Sequence, residues 1–224
     1  MLGLPPEVTA CLFDLDGVLT DTASVHEACW KQVFEQETGR PFAPQDYEQY
    51  VDGKPREDGV RDYLSSVGPA PDEATVRRVA DAKNDLVQER IARDGVTVFE
   101  GSRRFLEACR GAGVRRAVVS SSANTALVLR VTGLADLVEE RVDGVTAQQQ
   151  HLEGKPAPDT FLAGAAALGL EAHECAVFED ALAGVEAGRA GHFGFVVGVD
   201  RVGHADDLRS HGADVVVQDL ADLL

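Results

Sequence analysis

Hydrophobic and polar positions along the chain fall into two textures. Residues 8–13 form a short apolar run that breaks at once into a turn around Asp16-Gly17, which predicts a buried strand delivering Asp14 to an acidic cluster. A helix is predicted over 23–37, where Val25, Cys29, Val33 and Phe34 recur at helical spacing before Gly39 and Pro41 stop it. From residue 42 to 93 the pattern is helical and strongly charged, with breakers at Gly53, Pro55, Gly68, Pro69 and Pro71 and no convincing strand. After Gly95 strands and helices alternate. The pattern predicts a helix over 102–110, a strand over 115–119, helices over 124–131 and 159–168, and a strand over 175–178. A helix over 181–190 and short strands over 193–199 and 214–217 complete it.

Such alternation argues for an α/β protein built on a parallel sheet with helices on both faces. The reading is a Rossmann-like core made of residues 1–21 and 95–224, interrupted by an inserted helical cap domain over 22–94. In open parallel sheets, ligands bind beyond the carboxyl ends of the strands at a topological switch point. Three predicted strands end there in polar residues: Asp14 and Asp16, then Ser120, Ser121 and Ser122, then Glu179 and Asp180.

Composition narrows the picture. A chain of 224 residues, 44% hydrophobic and 26% charged, is long enough to bury its own core and has the balance of a soluble globular protein. Its net charge of -17 repels nucleic acid and anionic lipid. Screening confines exposed charge to about 8 Å, so a local basic pocket can still bind a small phosphorylated substrate. Cys11, Cys29, Cys109 and Cys175 sit singly in apolar stretches and read as small core residues. No segment has the length of a membrane span or the pattern of a leader, so a cytoplasmic location is expected, and a monomer with neither nucleic acid nor membrane as partner.

The chemistry begins at Asp14-Leu15-Asp16-Gly17. One carboxylate at a strand end can attack phosphorus while the second, swung over by the glycine turn, donates a proton to the leaving oxygen and later takes one back. Glu179-Asp180 at another strand end supplies hard oxygen ligands, as a magnesium ion neutralising a transferring phosphoryl group requires. Ser120 opens the run SSSAN before a helix, where hydroxyls and backbone N–H groups can hold an anion. Lys155, in GKPAPD, can offset the charge of Asp14 and a phosphate. Each signal alone has a plainer reading: an Asp-rich turn, a helix N-cap at Asp180, serine capping, a solvated loop lysine.

Taken together, FDLDGVLTDT, VVSSS, GKPAPD and VFEDALAGVEA, in this order, resemble the four motifs of the haloacid dehalogenase (HAD) superfamily across essentially the whole chain. The resemblance implies Asp14 as nucleophile, Asp16 as acid and base, Ser120 and Lys155 as phosphate ligands, and magnesium (Mg2+) held by Asp14, the Asp16 carbonyl and Asp180 with Glu179 beside it. Carbon–halogen cleavage needs no proton donor at the position of Asp16, which points away from the dehalogenase branch.

Within the superfamily the chain is most similar to the β-phosphoglucomutase-like subfamily. His26 and Trp30 match its HxxxW pattern, GKPRED with Gly53 and Arg56 its cap loop, and AKNDLV with Lys83 and Asn84 its hinge pair. Ser121, Ser122 and Asn124 fall on its phosphate loop. Asp52 and Ala123 stand where that subfamily has lysines. Lys83 also shares a helical stripe with Val76, Val79, Ala80, Leu86 and Val87; a cation there indicates an anionic ligand, or a lysine snorkelling from the stripe's edge.

The resemblance implies phosphoryl transfer on a sugar phosphate through an aspartyl phosphate on Asp14, as in conversion of β-glucose 1-phosphate to glucose 6-phosphate. The alternative is a phosphatase acting on a sugar or polyol phosphate. A receiver-type signalling domain, which also phosphorylates an aspartate, needs no inserted cap and a shorter chain.

Overall fold

The structure, a computed structural model, describes residues 2–51 and 56–224 apart from the Glu48 side chain. The chain divides into two compact units, one formed by Met1–Asp21 with Val96–Leu224 and the other by Thr22–Gly95. Gly95 groups with the helical unit, one residue beyond the boundary read from the pattern.

The first unit is an α/β layer structure. Its strands are β1 (Ala10–Phe13), β2 (Thr20–Asp21), β3 (Thr97–Val98), β4 (Arg115–Val119), β5 (Glu140–Val142), β6 (Cys175–Glu179), β7 (Phe195–Val199) and β8 (Val215–Val217). Six of them form one sheet in the order β5-β4-β1-β6-β7-β8, every pairing parallel. β2 and β3 pair antiparallel as a separate ribbon. From β1 the chain builds outward through β4 to β5, then crosses back to β6 on the other flank, so the switch point falls beside β1.

Burial explains why β1 is a continuous apolar run and β6 is one up to its last residue, Glu179. Every residue of both is buried, because helices cover the two faces of a parallel sheet. Ala10, Leu12, Val119, Val177, Phe161 and Phe193 pack on one face. On the other, Phe13 stacks on Phe178 at 4.6 Å between centroids, with Phe105 edge-on at 6.2 Å from Phe13.

The helical unit contains α1 (Ala23–Thr38), α2 (Pro44–Tyr50), α3 (Arg56–Val67) and α4 (Glu73–Asp94), and among its described residues no strand occurs. Gly39, at φ 65°, ends α1 by accepting the left-handed conformation that other residues resist. The Asp72 carboxylate accepts a hydrogen bond from the Thr75 N–H at 2.8 Å and so starts α4. An aromatic nest holds these helices together: Phe34 lies 4.8 Å from Trp30, 5.2 Å from Phe42 and 4.3 Å from Tyr63.

The core's helices are α5 (Glu100–Gly111), α6 (Thr125–Val131), α7 (Gly144–Gln150), α8 (Asp159–Ala167), α9 (Leu182–Ala190) and α10 (Ala205–Ser210). β2, β3, β5, α7 and α10 are absent from the sequence-based expectation. β5 has three residues with one of them buried, and α7 buries none, so neither carries a periodic apolar signal. The strand expected from 193 begins at Phe195 because His192 is in the left-handed region, φ 56°. All four cysteines are buried thiols, as their isolated positions suggest. Among the described residues no helix is long and apolar enough to cross a membrane.

Phe34 is fully buried, so Phe34→Ala is expected to destabilise the helical unit by about 3–5 kcal/mol. Urea unfolding followed by fluorescence of Trp30, the sole tryptophan, measures it. A loss below about 1 kcal/mol would contradict the packing described.

Candidate active site

Strand register brings the first set of groups together. Phe13 is opposite Val118 on one side and Phe178 on the other, so the next rung carries Asp14, Val119 and Glu179. The Asp14 N–H donates to the Phe178 carbonyl at 2.9 Å, which keeps Asp14 in the ladder while its side chain leaves the sheet. Lys155, from the loop before α8, enters this rung. Its Nζ lies 2.5 Å from Asp14 Oδ1 and 2.5 Å from Glu179 Oε1, and donates to the Val119 carbonyl at 3.3 Å. The Phe161 ring, 4.8 Å away, closes the remaining side.

The three side chains are 10%, 11% and 1% exposed for Lys155, Asp14 and Glu179, so these charges are held largely out of water. Burial opposes the lysine's charge, but the Asp14 and Glu179 carboxylates outweigh it and raise the Lys155 pKa above the usual lysine value. The ammonium is therefore permanent at physiological pH.

The second set lies on the turn after β1. Gly17 has φ +82°, and its N–H donates to the Thr20 carbonyl at 2.8 Å. The Leu15 carbonyl accepts from the N–H groups of Leu19 at 3.0 Å and Thr20 at 2.9 Å, closing the turn on itself. A Cβ at position 17 would collide with the Asp180 carboxylate, so a glycine is needed both for the left-handed backbone and for the approach of Asp180. Burial first, then the charges of Glu179, Asp14 and Asp16, push the Asp180 pKa well above the usual carboxylate range.

The Lys155 ammonium pairs with Asp14 and Glu179, while Glu179, Asp14 and Asp16 all act on Asp180, so hard oxygen donors gather here in excess of the lysine's charge, which suits a divalent cation such as Mg2+. Glu179 is the least available of them. Its Oε1 is held by Lys155 and its Oε2 accepts the Ala181 N–H at 3.0 Å, and α9 passes over it at Gly184, where any Cβ would strike the carboxylate. Both carboxylate oxygens of Glu179 are therefore already engaged. Among the described residues, no three acidic, thiol or imidazole side chains already stand in a metal-holding group.

The serine loop follows β4. Ser120 is buried and its Oγ accepts the Ser122 N–H at 3.1 Å, while the Ser122 Oγ accepts the Asn124 N–H at 3.2 Å. Thr125 Oγ1 donates to the Ser122 carbonyl at 2.8 Å. The hydroxyls therefore brace the loop, and Asn124 makes no side-chain cap to α6, which starts one residue later than expected. Ser121 is exposed and Asn124 buried. The Gly144 N–H donates to the Ser122 carbonyl at 3.2 Å, so α7, unseen in the sequence, supports the loop from below.

Within the helical unit, α1 and α4 bring His26, Trp30 and Lys83 into one cluster. Lys83 is 7% exposed, which removes the snorkelling alternative. Its Nζ lies 2.6 Å from His26 Nδ1 and 4.9 Å from the Trp30 ring centroid. Arg56 at the start of the described part of α3 donates to the Ala80 carbonyl at 3.4 Å, and Asn84 is half-buried on α4. Burial, then Lys83, then Arg56 lower the His26 pKa to about 3. Gly53, and with it Asp52 and Lys54, lies outside the described residues.

Two neighbours of the acidic cluster escape a reading by motif. Arg201 follows β7 and donates through Nε to the Gly17 carbonyl at 2.9 Å, and His204 Nε2 lies 3.1 Å from the Asp180 carbonyl. Their one visible signal is position: polar residues just beyond the carboxyl end of a strand.

A histidine held near pKa 3 and titrating near 6.5 when unfolded binds fewer protons in the folded state, so its contribution is present above pH 6.5 and is lost as pH falls from 6.5 toward 3. The wild-type melting temperature is expected to fall more steeply than that of His26→Asn between pH 7 and pH 4.5. Asparagine keeps an acceptor for Lys83 and does not titrate. Parallel slopes in differential scanning calorimetry would contradict the assignment.

Comparison with known proteins identifies the family. A family model described as haloacid dehalogenase-like hydrolase matches residues 8–192. The chain is 53% identical over 247 aligned residues to a β-phosphoglucomutase of Mycobacterium bovis, covering 100% of this chain and 94% of that one. It is 32% identical over 179 residues to hexitol phosphatase A of Escherichia coli, covering 80% of this chain and 77% of the relative. The crystal structure of β-phosphoglucomutase from Clostridium difficile superposes with a TM-score of 0.81 at 26% identity, over 97% of this chain and 93% of that one. The strand-end aspartates, the shared lysine and these full-length similarities lead to one conclusion: the chain belongs to the haloacid dehalogenase-like hydrolases, in their β-phosphoglucomutase-like branch.

Proposed function

We propose that this enzyme interconverts β-glucose 1-phosphate and glucose 6-phosphate through an aspartyl phosphate on Asp14. The observation that carries the chemistry is the Lys155 ammonium shared between Asp14 and Glu179 at the switch point of the sheet. It holds Asp14 Oδ1, which makes Oδ2 the nucleophile, and it supplies positive charge where a phosphoryl group would bring more negative charge.

In this reading, phospho-Asp14 passes its phosphoryl group to the sugar 6-hydroxyl while Asp16 takes the hydroxyl proton. The resulting bisphosphate turns end for end. Asp14 then attacks the phosphorus at the 1-position, the bond from that phosphorus to the sugar O1 breaks, and Asp16 returns its proton to O1. The enzyme is left phosphorylated and glucose 6-phosphate departs. Mg2+, bound by Asp14, Asp180 and the Asp16 carbonyl, would neutralise charge on the phosphoryl oxygens. Ser120 and the loop of Ser121, Ser122 and Asn124 would take the transferring phosphate, and His26, Lys83, Arg56 and Asn84 would recognise the rest of the sugar phosphate.

The full-length likeness to the mycobacterial mutase supports this reading over hydrolysis. Phosphatase action on a sugar or polyol phosphate is the second reading, favoured by Ala123, which leaves the phosphate loop without the cation that the subfamily places there.

The test supplies β-glucose 1-phosphate with a trace of glucose 1,6-bisphosphate and Mg2+, and follows glucose 6-phosphate and inorganic phosphate together. Glucose 6-phosphate should form faster than phosphate is released, and Asp16→Asn should slow it by about 10²- to 10⁴-fold. Rapid phosphate release without isomerised product would replace the mutase by the phosphatase. Undiminished turnover of Asp16→Asn would remove that residue's role.

A further inference from the structure

The turn that carries Asp16 has a weak point. Gly17, at φ +82°, is the residue whose own sterics restrict the backbone least, and the turn's internal hydrogen bonds engage its N–H and the Leu15 and Thr20 carbonyls, so the carbonyls of residues 17 to 19 are held from outside the turn. The Val18 carbonyl is held by Ser102 Oγ at 2.6 Å, and the Leu19 carbonyl by the Phe99 N–H at 3.1 Å. The Gly17 carbonyl, next to Asp16, is reached by Arg201, whose Nε donates to it at 2.9 Å and whose Nη2 lies 3.4 Å from the Val18 carbonyl.

Arg201 is itself well fixed. Nη1 donates to the Gln218 carbonyl at 2.8 Å and lies 3.4 Å from Asp219 Oδ2, and the guanidinium carbon stands 3.8 Å from the centre of the Phe99 ring. The side chain is 18% exposed. One planar fork thus joins the end of β7, the segment after β8 and the catalytic turn. Lysine, a single point charge on a flexible stem, cannot reproduce three directed bonds in one plane.

We propose that Arg201 is a positioning residue for phosphoryl transfer: by fixing the Gly17 and Val18 carbonyls it sets the direction in which Asp16 presents its carboxyl group. The proposal rests on the reading of Asp16 as acid and base. Arg201 touches no reacting atom in this account and acts only through the turn.

Leaving-group chemistry separates this role from a merely structural one. A sugar oxygen leaving from phosphorus needs a proton, whereas acetate leaving from acetyl phosphate does not. Single-turnover formation of phosphoenzyme is therefore measured from glucose 1,6-bisphosphate and from acetyl phosphate for the wild type, Arg201→Met, Arg201→Lys and Asp16→Asn, with melting temperatures alongside. Methionine keeps an apolar stem against Phe99 and removes every donor. Arg201→Met is expected to slow transfer from the bisphosphate roughly tenfold, a fraction of the ~10²-fold that a 1 Å misplacement can cause. Transfer from acetyl phosphate should change less than about twofold, since it needs no proton.

Equal slowing with both donors, or wild-type rates with both, overturns the proposal; the Asp16 reading then still stands if Asp16→Asn shows the donor dependence by itself. Wild-type rates in Asp16→Asn with both donors overturn that reading and the proposal with it. If Arg201→Met does not fold, Arg201→Lys decides by the same criterion, a loss confined to the sugar phosphate supporting the proposal and an equal or absent effect overturning it.

Discussion

One buried ammonium organises the catalytic end of the sheet. Lys155 is bound at once by the Asp14 carboxylate, the Glu179 carboxylate and the Val119 carbonyl, groups delivered by the three central strands. Two carboxylates confined in one rung would repel each other and resist desolvation, and removing the charge between them would cost about 3–5 kcal/mol. The lysine makes their burial tolerable. It also distinguishes Glu179 from its neighbour Asp180: burial raises the pKa of both, but Lys155 and a backbone N–H offset part of the rise at Glu179, while the charges of Glu179, Asp14 and Asp16 add to it at Asp180.

Around that rung, small residues allow close approach where larger ones would block it. Gly17 lets the turn pass against Asp180, Gly184 lets α9 cover Glu179, and Gly144 lets α7 press on the serine loop. Backbone therefore approaches Asp180 and Glu179 closely, beside the Lys155 side chain that pairs with Glu179. Arg201 completes this frame by tying the turn to the far side of the sheet.

The helical unit solves a similar problem with different means. Lys83 is buried against an aromatic ring and a neutral imidazole, with His26 kept uncharged by burial and by the cations near it. The aromatic nest under it, centred on Phe34, gives the cluster a firm base.

Much of this was legible in the amino-acid order because the relevant signals are local. An apolar run ending in Asp14-Leu15-Asp16-Gly17 identifies β1 and its acids, Gly39 marks the end of α1, and the apolar phase of Lys83 on α4 marks it as a buried cation. Short elements such as β5 and α7 left no trace, since half-exposed strands of three residues and helices with no buried face have no period to detect. Only the tertiary structure decided who meets whom. Lys155 and Asp14 are 141 residues apart, and Arg201 and Gly17 are 184 apart. Hydrogen bonds at such separations are chosen by strand order and crossover, which bring strand ends together from distant parts of the chain, and no spacing rule along one segment records them.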